Sequence, residues 1–359
     1  MDSLLKSSRV IVCAGSGGVG KTTLSAALGY QAARLGLRVL VLTVDPAQRL
    51  ATALGLSGLD EEVRVSAPQL TGEFYAAQIH PENTFRNFVR ENAPSADVAE
   101  RLLQNPLFQR LTTTLSGSQE FTSLERLYSC VNSRRYDLVI LDTPPTAHAI
   151  DILDGTRRLE EFMQDSVLKW FLAPFESRGF LGNLVHRGAR LVMGAFESVV
   201  GRELVDELVA FFTAISHFRE PLLKRFKEVR ALFADSKTSF ILVTAFDEQK
   251  ILESRFFRDE LVRRQLNLKA VIVNRAFPEW VRNRSELELP GIEESLAQRY
   301  RKYFDDLERF YLSHQKELDR FQNELGRDVQ VYRLVDFDQE VVDMDSLGRV
   351  ATELVREGT

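Results

Sequence analysis

The sequence predicts an α/β fold, a doubly wound, mostly parallel sheet with an inserted all-α subdomain. Three observations carry this. Short apolar runs rich in β-branched residues recur along the 359 residues, as buried parallel strands require. Helix-forming stretches separate them. Two long helical stretches, the second rich in Phe, break the alternation.

Arg9–Ala14 (RVIVCA) reads as a buried strand running into glycines. Residues 21–35 are Ala- and Leu-rich and read as a helix, with Gly36 placed to end it. Arg38–Val44 is a second strand, stopped by Asp45-Pro46, which completes a βαβ unit. Phe74–Ile79, Tyr136–Asp142, Ser239–Ala245, Leu268–Asn274 and Val329–Val335 are the further strands. Residues 81–114 and 155–234 read as helical insertions. The sheet domain is therefore expected over 1–80, 116–155 and 236–359, and the helical subdomain over 81–115 and 156–235. Between Gln298 and Leu325, apolar residues recur at alternating spacings of four and three, from Tyr300 through Phe304, Leu307 and Tyr311 to Leu318 and Phe321. The expectation is a long helix lying on its own sheet, with His314 a core-edge residue and not a ligand. A coiled-coil contact with a partner is the sharper alternative.

Composition narrows the function. With 46 Lys and Arg against 51 Asp and Glu, the net charge is −5, so no general nucleic-acid footprint exists and no nucleic-acid partner is expected. Cys13 and Cys130 are too few for a disulfide framework or a Cys-rich zinc site. The first ten residues hold no apolar leader, and no stretch reaches the length of a membrane span. A cytoplasmic protein, not integral to a membrane, is expected.

The strongest motif is Gly15-Ser16-Gly17-Gly18-Val19-Gly20-Lys21-Thr22-Thr23. It fits GxxxxGK[ST] and lies between a buried strand and a helix, the setting of a phosphate-binding P-loop. Glycines let backbone N–H groups crowd around phosphate oxygens, and the helix N-terminus adds positive partial charge. Lys21 is placed to reach the β- and γ-phosphates of ATP, and the Thr22 hydroxyl to ligate Mg²⁺. Asp45 and Asp142 end separate strands of the expected parallel sheet, so both face the crevice where such sheets bind ligands. Asp142 stands where a Mg²⁺-associated carboxylate, acting through water, is expected.

The segments GSGGVGKTT, TVDPAQRLATAL and LDTPPTAHAIDIL resemble the P-loop, switch I and switch II of the ArsA/GET-type ATPases. That family includes the arsenical pump ATPase and the tail-anchored-protein targeting ATPase. It belongs to the deviant-Walker class with MinD, ParA and the nitrogenase iron protein. The resemblance covers roughly residues 9–155 and 238–350. It implies that Asp45 positions the attacking water and that Asp45, Pro46 and Ala47 form one switch. Thr143, Pro144, Pro145, Thr146 and His148 form the second, which reports nucleotide state to the helical subdomain. Asn274 matches an asparagine that reads the adenine edge. Gly117 and Glu120 fall where relatives often carry PGxxE, a weaker match. An ordered pair of switches released on hydrolysis is a bistable element.

Two departures qualify the resemblance. Where the class carries a signature lysine that reaches a phosphate across a dimer, this chain has Ser16. Ser-bearing chains of a bacterial branch resemble one half of a paralogue pair. The chain is therefore expected to act as a homodimer, to pair with a paralogous ATPase that supplies the lysine, or to substitute another basic residue. The metalloid-binding cysteines of the arsenical pump and the zinc-stapling CxxC of the eukaryotic targeting factor are both missing.

Residues 160–215 carry Phe162, Trp170, Phe171, Phe175, Phe180, Phe196 and Phe211 among other apolar side chains. They supply either the core of a helical subdomain or a groove for a hydrophobic helix. The reading that joins these features is a dimeric ATP-binding and -hydrolysing switch that couples nucleotide state to a hydrophobic client, as in targeting or chaperone proteins. The alternatives are the ATPase subunit of an anion exporter and a MinD/ParA-like positioning ATPase. The last needs a terminal amphipathic membrane helix or a basic DNA-binding face, and SLGRVATELVREGT reads as short and weakly amphipathic.

Overall fold

The structure is a computed structural model. It describes the chain except residues 46–47, 60–61, 107, 110–116, 145–217, 219, 277–292, 336–339 and 357–359, and gives the backbone alone for 117–120. Two compact units emerge: Met1–Gln78 with Cys130–Ile150 and Ala234–Thr359, and Ile79–Ser129 with Asp151–Phe233.

The first unit is built on an eight-stranded sheet. Its strands are β1 (Val10–Gly15), β2 (Arg38–Thr43), β3 (Val63–Val65), β4 (Glu73–Gln78), β5 (Leu138–Asp142), β6 (Thr238–Ala245), β7 (Leu268–Ala276) and β8 (Gln330–Val335). Their order is β3-β4-β2-β5-β1-β6-β7-β8. Every pairing is parallel except β3 with β4, which is antiparallel. All six residues of β1 and all five of β5 are buried. That is why these strands read as unbroken apolar runs: helices cover both faces of a parallel sheet, so no face is left for polar residues. Each fully buried Val, Leu or Ile contributes roughly 1.5–3 kcal/mol. Chain order reverses about β1, which lies between β5 and β6, so its carboxyl end opens on the switch-point crevice.

Helix α1 spans Asp2–Ser7 and α2 spans Lys21–Arg34. The end of α2 is a Schellman motif. Gly36, at φ +88°, donates to Ala33 O at 3.1 Å, and Leu37 donates to Ala32 O at 3.1 Å. Gly36 thus stops the helix as its composition predicts. A short helix α3 (Arg49–Ala53) follows β2.

The C-terminal residues behave differently from their sequence reading. Met344–Arg356 is a helix whose Leu347, Val350, Ala351 and Leu354 form one buried apolar face, and that face packs in the same core as α2. It is well amphipathic, and its apolar side is already used within the sheet unit. In the second half of the long helix Glu294–Asn323, Leu318 and Phe321 are fully buried. Tyr300, in the first half, stays exposed. His314 Nδ1 lies 2.7 Å from Phe310 O, and its ring stacks against Phe310 and Phe246, the surroundings of a core-edge histidine. Cys13 in β1 and Cys130 near the end of its helix are buried free thiols.

The second unit contains α4 (Pro81–Asn92), α5 (Ala96–Gln104), α6 (Gly117–Asn132) as far as Ser129, and a helical stretch over 220–233. Pro81 opens α4 at its first turn, where a missing N–H costs nothing. Ser95 caps α5 by accepting from the Val98 N–H at 3.3 Å. The core is a Phe cluster. Phe121 meets Phe88 at 5.3 Å and Phe226 at 5.5 Å, both edge-on. This packing groups the first part of α6 with the helical unit, whereas the sequence reading assigned 116–155 to the sheet. The apolar stretch 160–215 lies outside the described residues.

Candidate functional site

Gly17, Gly18, Gly20, Lys21, Thr22 and Thr23 line a cleft of about 560 Å³ at the carboxyl edge of the sheet, together with Asp45, Thr143, Pro144 and Asn274. The P-loop, both aspartate-bearing strand ends and the asparagine of β7 therefore converge, as their positions along the sequence predict. Gly15 ends β1. Ser16 and Val19 are buried beneath the loop. Pro46, Ala47, Pro145, Thr146 and His148 lie outside the described residues, as does the side chain of Glu120. Gly117 is the first residue of α6.

Gly20 shows why the loop needs glycine. Its φ is +89°, and a Cβ there would stand 2.4 Å from Asn274 Nδ2. The Asn274 amide uses that space to donate to Val19 O at 2.9 Å. Asn274 thus braces the P-loop backbone, a contact that its expected role at the adenine edge did not anticipate.

Lys21 begins α2 and is almost wholly buried. Its Nζ donates to Ser16 O at 2.8 Å. Burial lowers its ammonium below the usual lysine value, and the Asp142 charge opposes that shift. An ammonium in such surroundings gains strongly from an anionic partner.

Asp142 is also buried, and burial pushes its carboxyl up to about 6 against the pull of the Thr22 and Thr43 hydroxyls and Lys21. Both hydroxyls donate to the same oxygen, Oδ2, at 2.7 Å from Thr22 and 2.9 Å from Thr43. Oδ1 is buried without a hydrogen-bond partner. A buried carboxylate with one oxygen unpartnered and the other bound to the Thr22 hydroxyl of the P-loop suits a hard, hydrated cation such as Mg²⁺. The residues fit that metal.

Asp45 follows β2, and its backbone N–H donates to Thr43 Oγ1 at 3.2 Å. Its carboxylate is ion-paired with Arg49 at 3.2 Å. Thr143 is buried, and its hydroxyl donates to Cys13 O at 2.9 Å, fixing the segment after β5 to β1.

A family profile described as anion-transporting ATPase matches residues 8–320. The chain belongs to the anion-transporting ATPase (ArsA) family. It is an ATPase, as the members of this family are. A putative arsenical pump-driving ATPase 1 of Aquifex aeolicus is 26% identical over 352 residues, 96% of this chain and 78% of the relative. An ATPase GET3 of Malassezia globosa is 27% identical over 271 residues, 75% of this chain and 73% of the relative. An ATPase get3 of Aspergillus terreus is 26% identical over 310 residues, covering 85% and 83%. The eight-stranded, mostly parallel sheet agrees with the fold expected of this family.

Sequence reasoning passed over three cleft features. Thr43 carries the hydrogen bond between the two aspartates; its signal was a hydroxyl two residues before Asp45. Arg49 lines the cleft, one helical turn beyond Asp45. Val341, Val342 and Val350 form an apolar wall, contributed by residues far from any motif. No helix among the described residues is long and apolar enough to cross a membrane.

Proposed function

We propose that this ATPase is a nucleotide-driven switch that works as a dimer, in the cytoplasm, and couples ATP binding and hydrolysis to the capture and release of a hydrophobic segment. The observation that carries the nucleotide half is the buried Asp142, donated to by Thr22 and Thr43 and left with one open oxygen.

In this reading the P-loop N–H groups and the N-terminus of α2 receive the phosphates. Lys21 leaves the Ser16 carbonyl for the β- and γ-phosphates. Thr22 and, through water, Asp142 would hold Mg²⁺, which would supply positive charge to offset that of the phosphates. Asp45 accepts a hydrogen bond from the attacking water and orients it in line with the γ-phosphate. The apolar wall of Val341, Val342 and Val350 suits the face of a base.

The client half rests on the apolar content of residues 160–215 and on the relatives named GET3. The relative named for an arsenical pump supports the alternative, an ATPase driving anion export. The cysteines argue against a soft metalloid. Burial pushes the Cys13 thiol up to about 12, and thiolate is the form that binds such ions.

The test is phosphate release and nucleotide binding by the full chain. Lys21→Ala is expected to lose nucleotide binding, and Asp45→Asn to bind ATP without turnover. Sedimentation of Asp45→Asn with ATP and Mg²⁺ reads the dimer, and a fluorescent single-helix apolar peptide reads the client. Wild-type turnover by Asp45→Asn overturns the role of Asp45. Equal peptide binding with ATP and ADP overturns the coupling.

A further inference from the structure

The cleft asks for more positive charge than the P-loop supplies. Position 16 is a serine, fully buried and with an unpartnered hydroxyl, so the loop brings one ammonium, that of Lys21. Among the described residues, two further cations line the cleft, Arg49 and Arg275.

Arg49 differs from Arg275 in two respects. It is tied to Asp45, with its guanidinium 3.2 Å from the carboxylate. It lines the same cleft as Lys21, and its charge helps to lower the Lys21 ammonium. Its side chain is 66% exposed; a guanidinium so hydrated, on a five-residue helix just after the strand end, can exchange partners at little cost. An Asp45 carboxylate held by a guanidinium is also a poor acceptor for a water proton.

We propose that Arg49 senses the γ-phosphate: it clamps Asp45 when that phosphate is missing, and transfers its guanidinium to the γ-phosphate oxygens when ATP binds. A terminal phosphate carries more charge than a carboxylate and takes a guanidinium bidentately, so it outcompetes Asp45. The transfer removes the Arg49 guanidinium from Asp45, which makes its carboxylate a better acceptor for water, and adds a positive charge where negative charge develops. No bond other than hydrogen bonds is made or broken in the exchange. ADP lacks the competing group, so Asp45 stays clamped with ADP. The inference rests on the ATPase reading of the cleft and deepens it.

The experiment compares ATP and ADP affinity, with Mg²⁺, and steady-state turnover for the wild-type chain, Arg49→Ala, Arg49→Lys and Lys21→Ala. Arg49→Ala is expected to keep ADP affinity within about twofold, to lose ATP affinity about tenfold, and to lose kcat by about 10- to 100-fold. Arg49→Lys restores part of kcat, because charge returns without the bidentate fork. Thermal unfolding of the nucleotide-free variants checks the fold, and Arg49→Gln replaces Arg49→Ala should that variant unfold. An Arg49→Ala protein with wild-type kcat and an unchanged ATP-to-ADP affinity ratio overturns the proposal. In that case loss of both nucleotides by Lys21→Ala leaves the ATPase reading standing. A wild-type chain that binds neither nucleotide overturns both.

Discussion

Thr43 donates its hydroxyl hydrogen to Asp142 Oδ2 at 2.9 Å, while its oxygen accepts the Asp45 backbone N–H at 3.2 Å. One side chain therefore joins the segment that carries the water-positioning candidate to the carboxylate that suits the metal. The strand register makes this possible: Thr43 of β2 sits beside Asp142 of β5. Asp142 in turn accepts from Thr22, so the chain of hydrogen bonds runs from the backbone of Asp45 to the first turn of α2.

Thr43→Val keeps the shape and removes the hydroxyl. Asp142 Oδ2 loses one of its two donors, and a buried acceptor deprived of a partner costs about 1–3 kcal/mol. With less hydrogen bonding to its charged form, the Asp142 carboxyl is pushed further upward. Thr43→Val is expected to need more Mg²⁺ for half-maximal ATP hydrolysis, and Thr43→Ser to recover the wild-type requirement. Identical Mg²⁺ titrations for wild type and Thr43→Val would sink this account.

Asn274 offers a choice between two roles. Reading the adenine edge demands base selectivity; bracing Val19 O at 2.9 Å demands only that the loop keep its shape. The brace predicts that Asn274→Ala weakens ATP and GTP alike, since both use the same phosphate loop. A selective loss of ATP, with GTP affinity unchanged, assigns the residue to the base instead. Competitive displacement of a fluorescent nucleotide by each triphosphate decides it.

Most of the sheet was legible in the sequence for one physical reason. A strand buried on both faces has no polar alternation, so runs such as Val10–Gly15 and Leu138–Asp142 stand out from amphipathic neighbours. The P-loop was legible because its backbone geometry restricts residue type. β3 was not, since three residues of an antiparallel edge carry no periodicity to detect. The final helix was misjudged in strength: Leu347, Val350, Ala351 and Leu354 follow helical spacing, but their partners in α2 lie more than three hundred residues earlier. The Arg49–Asp45 pair was missed for the opposite reason. Its spacing of four was in view, but only the fold shows that both side chains line the phosphate cleft.

In the helical unit, Arg225 is ion-paired with Glu125 beside the Phe cluster. Glu125 is almost wholly buried, with Oε2 unpartnered, and Arg225 stacks 4.3 Å from the Tyr128 ring. Burial raises the Glu125 carboxyl above the usual value of 4.5, and the attraction of Arg225 only partly offsets it. The sign follows from proton uptake. Above the unfolded value the unfolded chain has released this proton while the folded chain still holds it. Stability therefore falls as pH rises from about 4.5 through the folded value, and is flat beyond it. On going from about pH 7.5 to about pH 5, the wild-type unit is expected to gain more stability than Glu125→Gln, which has no proton to take up. Arg225→Gln leaves the buried carboxylate without its counter-charge and is expected to cost about 3–5 kcal/mol near neutral pH. Adding Glu125→Gln to it removes the stranded charge and recovers much of that loss. Hydrogen exchange of the 220–234 amides in the full chain reads both effects, and equal pH dependence in wild type and Glu125→Gln would show that Glu125 titrates as it does in the unfolded chain.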